Sequence, residues 1–176
     1  SSIRNDFAAL RRAIDDADHP ALLMADCIAS LGCDQFEMDD WGVDVMVAAC
    51  QKGLMVPAGV SFVFFNEKAE AVRNAMPRVS RYWDWVPRGA PEQLWQYFNG
   101  TAPTHHLFGL RAALDIIHNE SMEKVWARHA VLARAIWAAC DAWGQVGSLK
   151  MNVSNIENRS NAVTSLSLAS PDGTRL

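Results

Sequence analysis

The sequence has no excess of basic side chains: 16 Lys and Arg stand against 20 Asp and Glu, a net charge of −4 over 176 residues. A protein that grips a nucleic-acid backbone shows the opposite balance, so that class of partner is set aside. No run of roughly 18 apolar residues occurs, which excludes a membrane-spanning helix within this stretch. Repeats and low-complexity tracts are absent, and so are the phosphate-cradling G-x-G-x-x-G and G-x-x-x-x-G-K patterns. There is no C-x-x-C pair. The four cysteines, Cys27, Cys33, Cys50 and Cys140, have small or apolar neighbours, which predicts buried free thiols and a reducing, cytoplasmic compartment. His105, His106, His118 and His129 lack H-x-x-x-H or H-E-x-x-H spacing, so no metal site is expected. The N-x-S/T matches at Asn99, Asn119, Asn152 and Asn158 are read as chance. Because the chain opens on Ser1 and stops just past Pro171-Asp172-Gly173, it is expected to be a piece of a longer protein.

What is present is enough for a real core, since 50% of the residues are hydrophobic. Residues 5–17 predict an amphipathic helix with Phe7, Leu10 and Ile14 inward and Arg11, Arg12 and Asp15 outward, ended by His19-Pro20. Ala21–Ala25 is an apolar run of the kind buried on both faces of a sheet. An acidic connection, Asp34–Asp40, leads to a second buried strand within Val43–Ala49 and a loop over Lys52–Gly59. A third strand follows at Val60–Phe65, then a charged helix from Glu67 to about Ala75. Pro77–Pro103 is aromatic, proline-rich loop. Helices are expected from about Thr104 to His118 and from Ser121 to Trp143, the second with Val125, His129, Leu132, Ile136, Cys140 and Trp143 along one side. Gly144 and Gly147 end it, and Ala162–Ala169 alternates like a half-exposed strand. The order implies an α/β fold with the start of a second domain.

Lysine is scarce, and one of the four is out of place. Lys52 is the sole charged side chain between Asp44 and Glu67, directly after a buried-type strand. Taking its ammonium out of water would lower the pKa toward a nucleophilic amine; a lysine that snorkels from a strand end is the alternative. Asp26 is its counterpart, the sole charged residue between His19 and Asp34, at the carboxyl end of the first strand. That edge of an open α/β sheet is where ligands bind, although an aspartate capping its own turn gives the same pattern. Together the two suit pyridoxal 5′-phosphate, which needs a Schiff-base lysine for its aldehyde and a carboxylate for its pyridinium nitrogen.

Asp26-Cys27-Ile28-Ala29-Ser30-Leu31-Gly32, followed by Cys50-Gln51-Lys52-Gly53-Leu54 and Pro57-Ala58-Gly59, resembles the class V aminotransferases. The likeness is to the alanine–glyoxylate and serine–glyoxylate group, with pyridoxamine–pyruvate aminotransferase as a near relative. It includes Asn99-Gly100-Thr101-Ala102-Pro103 and the helices beyond. The resemblance implies a fold-type I enzyme: residues 1–103 from the second half of the large, cofactor-binding mixed-sheet domain, 104–144 as connecting helices, and 145–176 as the start of the small C-terminal domain. It implies that Lys52 forms the internal aldimine and shuttles the proton between the substrate α-carbon and the cofactor's C4′. Asp26 would hold the ring nitrogen protonated, Gln51 would donate to the phosphate, and Ser30 would be a further cofactor contact. Thr101 would reach the phosphate across a homodimer interface. Phe98 stands where family members such as the human alanine–glyoxylate enzyme carry a phosphate-binding tyrosine, and Tyr97 is its neighbour.

The reaction so implied moves an amino group from a small amino acid of the alanine, serine or aspartate type to glyoxylate or pyruvate. The family's glycine-rich phosphate loop, stacking aromatic ring and carboxylate-binding arginine fall outside these residues, so the segment alone is expected to be inactive. Two other readings compete. One is a class V lyase of the cysteine-desulfurase kind, disfavoured because those enzymes typically place a histidine beside the lysine where Gln51 stands here. The other is a non-catalytic interaction module that kept the motif.

Overall fold

The computed structural model describes residues 2–147 and 149–169. The chain opens with helix α1 (Phe7–Asp16), started by Asp6, whose side chain accepts from the Ala9 N–H at 2.8 Å. Strands β1 (Met24–Asp26), β2 (Val45–Ala49) and β3 (Ser61–Phe65) form a sheet of order β1-β2-β3. β1 and β2 run parallel, with Asp26 opposite Val47, and β3 is antiparallel to β2. Helix α2 (Glu67–Ala75) follows, with Asn66 capping the Ala69 N–H. The aromatic segment is not wholly loop: it holds a one-turn helix α3 (Val86–Gly89) and a 3-10 turn (Leu94–Tyr97). Arg73 on α2 pins it by pairing with both oxygens of Asp84, whose Oδ1 also accepts from the Val86 N–H that opens α3. Helices α4 (Thr104–Glu120) and α5 (Met122–Gly144) join at Ser121, whose φ of 73° breaks the run. After α5 come β4 (Leu149–Met151), a 3-10 turn (Ile156–Asn158) and β5 (Leu166–Leu168), with β4 and β5 paired antiparallel.

Only β2 is buried along its length. The expected burial of the first strand on both faces is corrected: β1 is three residues long and Met24 is 63% exposed, since among the described residues no strand pairs with its outer edge and Leu23, Ala25 and Cys27 are the ones that enter the core. That core joins Leu23, Ala25, Cys27, Val43 and Met46 to Phe7, Ile14 and Phe36.

The face of α1 is also corrected. Leu10 is exposed, while Arg11 turns inward to Asp44 at 3.3 Å. Asp44 is 3% exposed and accepts from the Leu23 N–H at 2.8 Å and Asn66 Nδ2 at 3.0 Å, with Lys68 Nζ at 3.6 Å. Burial alone would raise this carboxyl, but the bonds from Asn66 and Leu23, helped by the Lys68 and Arg11 charges, hold it below the usual carboxylate range.

On α5 the buried stripe is Val125, Ala133, Trp137 and Cys140, not the side bearing Leu132, Ile136 and Trp143, which are all more than half exposed. The wide indole of Trp137 sets the rotation. It fills the space against Met151 and Leu149, and its Nε1 donates to Thr164 Oγ1 at 3.1 Å. At the other end, Ile117 and Val125 pack on Leu54, so the two long helices seat on the loop that carries Lys52. The expected strand at Ala162–Ala169 narrows to Leu166–Leu168. Residues 2–4 cross back to the C-terminal part, pairing Ile3 with Arg159.

Candidate active site

Because β1 and β2 are parallel, their carboxyl ends share one edge of the sheet. Asp26 is the last residue of β1, and Lys52 lies three residues past the end of β2. The loops that continue from them touch backbone to backbone. A Cβ on Gly53 would stand 2.2 Å from the Leu31 carbonyl oxygen, and one on Gly32 would stand 3.1 Å from the Gly53 carbonyl carbon. Gly32 also has a φ of +81°, in the left-handed region that glycine occupies without strain. Two glycines therefore let the Asp26 loop and the Lys52 loop lie against each other.

Asp26 is exposed and its Oδ1 accepts from the Ile28 N–H at 3.0 Å, so it does cap its own turn. A carboxylate has acceptor capacity left after one such bond. Lys52 and Gln51 are both exposed, as for a lysine that snorkels from a strand end. Ser30 shares with Asp26, Asp34 and Ser160 a hollow of about 450 Å³. Lys52 lines a separate one of about 420 Å³ with Cys33, Arg128, His129 and Asn161. Arg128 is engaged by both oxygens of Glu120, at 2.7 and 2.9 Å, and His129 Nδ1 meets the Val125 carbonyl at 2.8 Å. Thr101 is not brought to these residues. It lines a third hollow, along β3, with Phe62, Phe64, Tyr97 and Phe98.

All four thiols are free and buried. Burial, the largest influence, pushes the Cys27 thiol up to about 11. Among the described residues no group of three or more His, Cys, Asp or Glu side chains is placed to hold a metal ion, and no helix is long and apolar enough to cross a membrane. Sequence reasoning missed Asp34, Ser160 and Asn161. Asp34 read as part of an acidic connection, and its partners lie 126 and 127 residues away.

The sheet edge that carries Asp26 and Lys52 belongs to a mixed α/β fold, and comparison with known proteins gives its class, fold-type I pyridoxal-phosphate-dependent aminotransferases. The family described as Aminotransferase class-V matches residues 3–174, and the chain belongs to it. The L-aspartate–glyoxylate aminotransferase of Paracoccus denitrificans is 42% identical over 146 residues, covering 82% of this chain and 36% of that protein. The serine–glyoxylate aminotransferase of Arabidopsis thaliana is 37% identical over 166 residues, covering 94% and 40%. The crystal structure of pyridoxamine–pyruvate aminotransferase from Mesorhizobium loti superposes with a TM-score of 0.81 at 28% identity, covering 98% of this chain and 43% of that one. The chain thus spans about two-fifths of the length of these relatives. Pyridoxal 5′-phosphate is the cofactor of this family.

Proposed function

We propose that this chain supplies the cofactor lysine and the ring-nitrogen carboxylate of an aminotransferase that moves an amino group from a small amino acid to glyoxylate or pyruvate. The observation that carries this is the placement of Asp26 and Lys52 on one edge of the β1–β2 pair, with their loops in backbone contact through Gly32 and Gly53. The residues suit the cofactor by their chemistry: an exposed primary amine, an exposed carboxylate with an oxygen to spare, and the Gln51 amide and Ser30 hydroxyl as neutral donors for a phosphate. When bound, pyridoxal phosphate supplies an electron sink for the carbanion formed at the substrate α-carbon.

The remaining work falls to side chains of this chain. Lys52 would hold the cofactor through its Nζ, and its amine would serve as the base and acid that moves the substrate's α-proton. Asp26 would accept from the ring nitrogen through the carboxylate oxygen that its own turn leaves unused. Thr101 lies apart from Lys52, and Tyr82, Trp83, Trp95 and Tyr97 of the same region are more than half exposed, which supports a homodimer in which Thr101 completes the neighbour's phosphate site. Phe98 brings no hydroxyl to that contact. The amino donor is of the alanine, serine or aspartate type, and the four free thiols support a cytoplasmic setting. The isolated segment is proposed to lack turnover.

The test is the visible absorption spectrum with added pyridoxal phosphate, taken on the parent protein and on Lys52→Ala. A lysine-bound cofactor band that survives desalting in the parent and is lost in the variant is expected. An equal band in both would mean adventitious labelling of other lysines and would remove Lys52 from its role.

A further inference from the structure

The loop from Lys52 to Gly59 runs along α4, and alternate loop residues meet successive turns of that helix. Leu54 shares a core with Ile117, Val56 shares one with Ala113, and a Cβ on Gly109 would stand 3.5 Å from Val56 Cγ1. At the far end the contact becomes polar: His106 Nε2 lies 3.1 Å from the Ala58 carbonyl oxygen. A carbonyl can only accept, so this nitrogen carries the hydrogen and donates it. Gly59 makes the room, since a Cβ there would stand 2.4 Å from the same Nε2. One residue earlier, the Pro57 carbonyl accepts from Cys50 Sγ at 3.1 Å. The Pro57-Ala58-Gly59 turn is therefore fastened on two sides, to the residue just before Gln51-Lys52 and to the first turn of α4.

We propose that His106 is a positioning residue: as the end clamp of this seam it makes α4 a splint between Lys52 and Thr101, so that the cofactor lysine of one site and the threonine lent to the neighbouring site keep one spacing. This rests on the functional reading of Lys52 and Thr101 given above. Thr101 stands three residues before the start of α4, and it lines one hollow together with Gly59, Val60, Pro103 and Leu107. The apolar contacts of the seam have no direction and permit the loop to slide along the helix, whereas the bond to Ala58 has a direction and fixes the register. Gly32 and Gly53 set the near end of the loop, and His106 sets the far end. A loop held at both ends keeps its lysine in place, and a misplacement of about 1 Å at a reacting centre is costly.

The test uses the full-length protein carrying this chain, with His106→Ala and His106→Gln. The first readout is hydrogen exchange of the Met55 and Val56 amides, which donate within the loop to Lys52 O at 2.9 Å and Cys50 O at 3.0 Å. The second is the lysine-bound cofactor band during titration with pyridoxal phosphate. The third is kcat and KM at saturating cofactor, with glyoxylate as acceptor and whichever of L-alanine, L-serine and L-aspartate the parent turns over fastest. In His106→Ala the two amides are expected to exchange about fivefold faster and the cofactor concentration for half the band to rise about fivefold, the scale of one lost neutral hydrogen bond, with β2 amides unchanged. At saturating cofactor kcat is expected to fall about fivefold with KM within about twofold, the mark of a misplaced reacting group and not of lost substrate binding. His106→Gln, whose Nε2 also donates, is expected to lie within about twofold of the parent in all three. Faster exchange across β2 as well, an unchanged kcat at saturating cofactor, or a glutamine variant as impaired as the alanine one would each overturn the proposal. Absence of the cofactor band in the parent protein would instead overturn the functional reading, and the site role of His106 with it.

Discussion

Replacing Gly32 by alanine should damage both the fold and the site, by an amount that the structure separates into two parts. The first is conformational: at φ +81° an L side chain is strained by roughly 1–2 kcal/mol. The second is steric. The new Cβ would lie 3.1 Å from the Gly53 carbonyl carbon, 3.2 Å from its oxygen and 3.3 Å from its Cα, all backbone atoms that cannot rotate away. Overpacking of that kind costs roughly 1–3 kcal/mol. Gly147 is the control, because its φ of +79° gives the same strain while no atom of the described residues lies within 4 Å of the added Cβ. The smaller unfolded-state entropy of alanine favours both variants equally and cancels in the comparison. Urea denaturation should therefore show Gly32→Ala less stable than Gly147→Ala by about 1–3 kcal/mol. Because Gly53 follows Lys52 directly, Gly32→Ala should also weaken retention of pyridoxal phosphate, and Gly147→Ala should not. Equal stability of the two variants, with equal cofactor retention, would refute the argument that backbone contact between these loops sets Lys52 relative to Asp26.

Removing Asp44 should test the fastening of the sheet to α1 and α2. Asp44→Ala leaves the buried Leu23 N–H and Asn66 Nδ2 without their acceptor and takes from Arg11 one of its two carboxylate partners, Asp15 being the other, and urea denaturation at pH 7 should show a loss of roughly 1–3 kcal/mol. The Asp44 carboxyl is held below its ordinary value of about 3.9, so its contribution is complete above that pH and is lost as pH falls through the lower folded value. The gap between parent and variant should accordingly close in acid. With its thiol raised to about 11, Cys27 should be thiolate in only about one molecule per thousand at pH 8. A colorimetric thiol titration should find the four buried cysteines unreactive in the native protein and all four reactive in denaturant. Trp137→Ala should cost roughly 3–5 kcal/mol in the same denaturation assay, since the indole fills the joint between α5 and β4.

What the sequence disclosed follows from how local each signal is. Helix α2 could be placed at Glu67–Ala75 because its cap, Asn66, and its acidic first turn are contiguous with it. The length of α5 was equally legible, since helical period and the closing Gly144 are local. Its buried face was not: Leu132 and Ile136 are as apolar as the stripe that is buried, and the choice belongs to Trp137 and its contact with Met151 in another element. Arg11 turned inward for a similar reason, as its acceptor Asp44 lies 33 residues on. In the candidate site, Asp26 and Lys52 stood out because each is a lone charge in an apolar stretch, and parallel pairing then set them on one edge. Asp34 carried no such mark. It sits among other acidic residues, and only folding brings Ser160 and Asn161 to it.

The most direct measurement is to incubate the full-length protein with pyridoxal phosphate, reduce it with borohydride, and map the labelled peptide by mass spectrometry. With only Lys52, Lys68, Lys124 and Lys150 in this chain, the assignment is unambiguous within it. The account predicts near-stoichiometric label on Lys52 and none on the other three. Label on those three with Lys52 unmodified, or label spread evenly over all four, would contradict it.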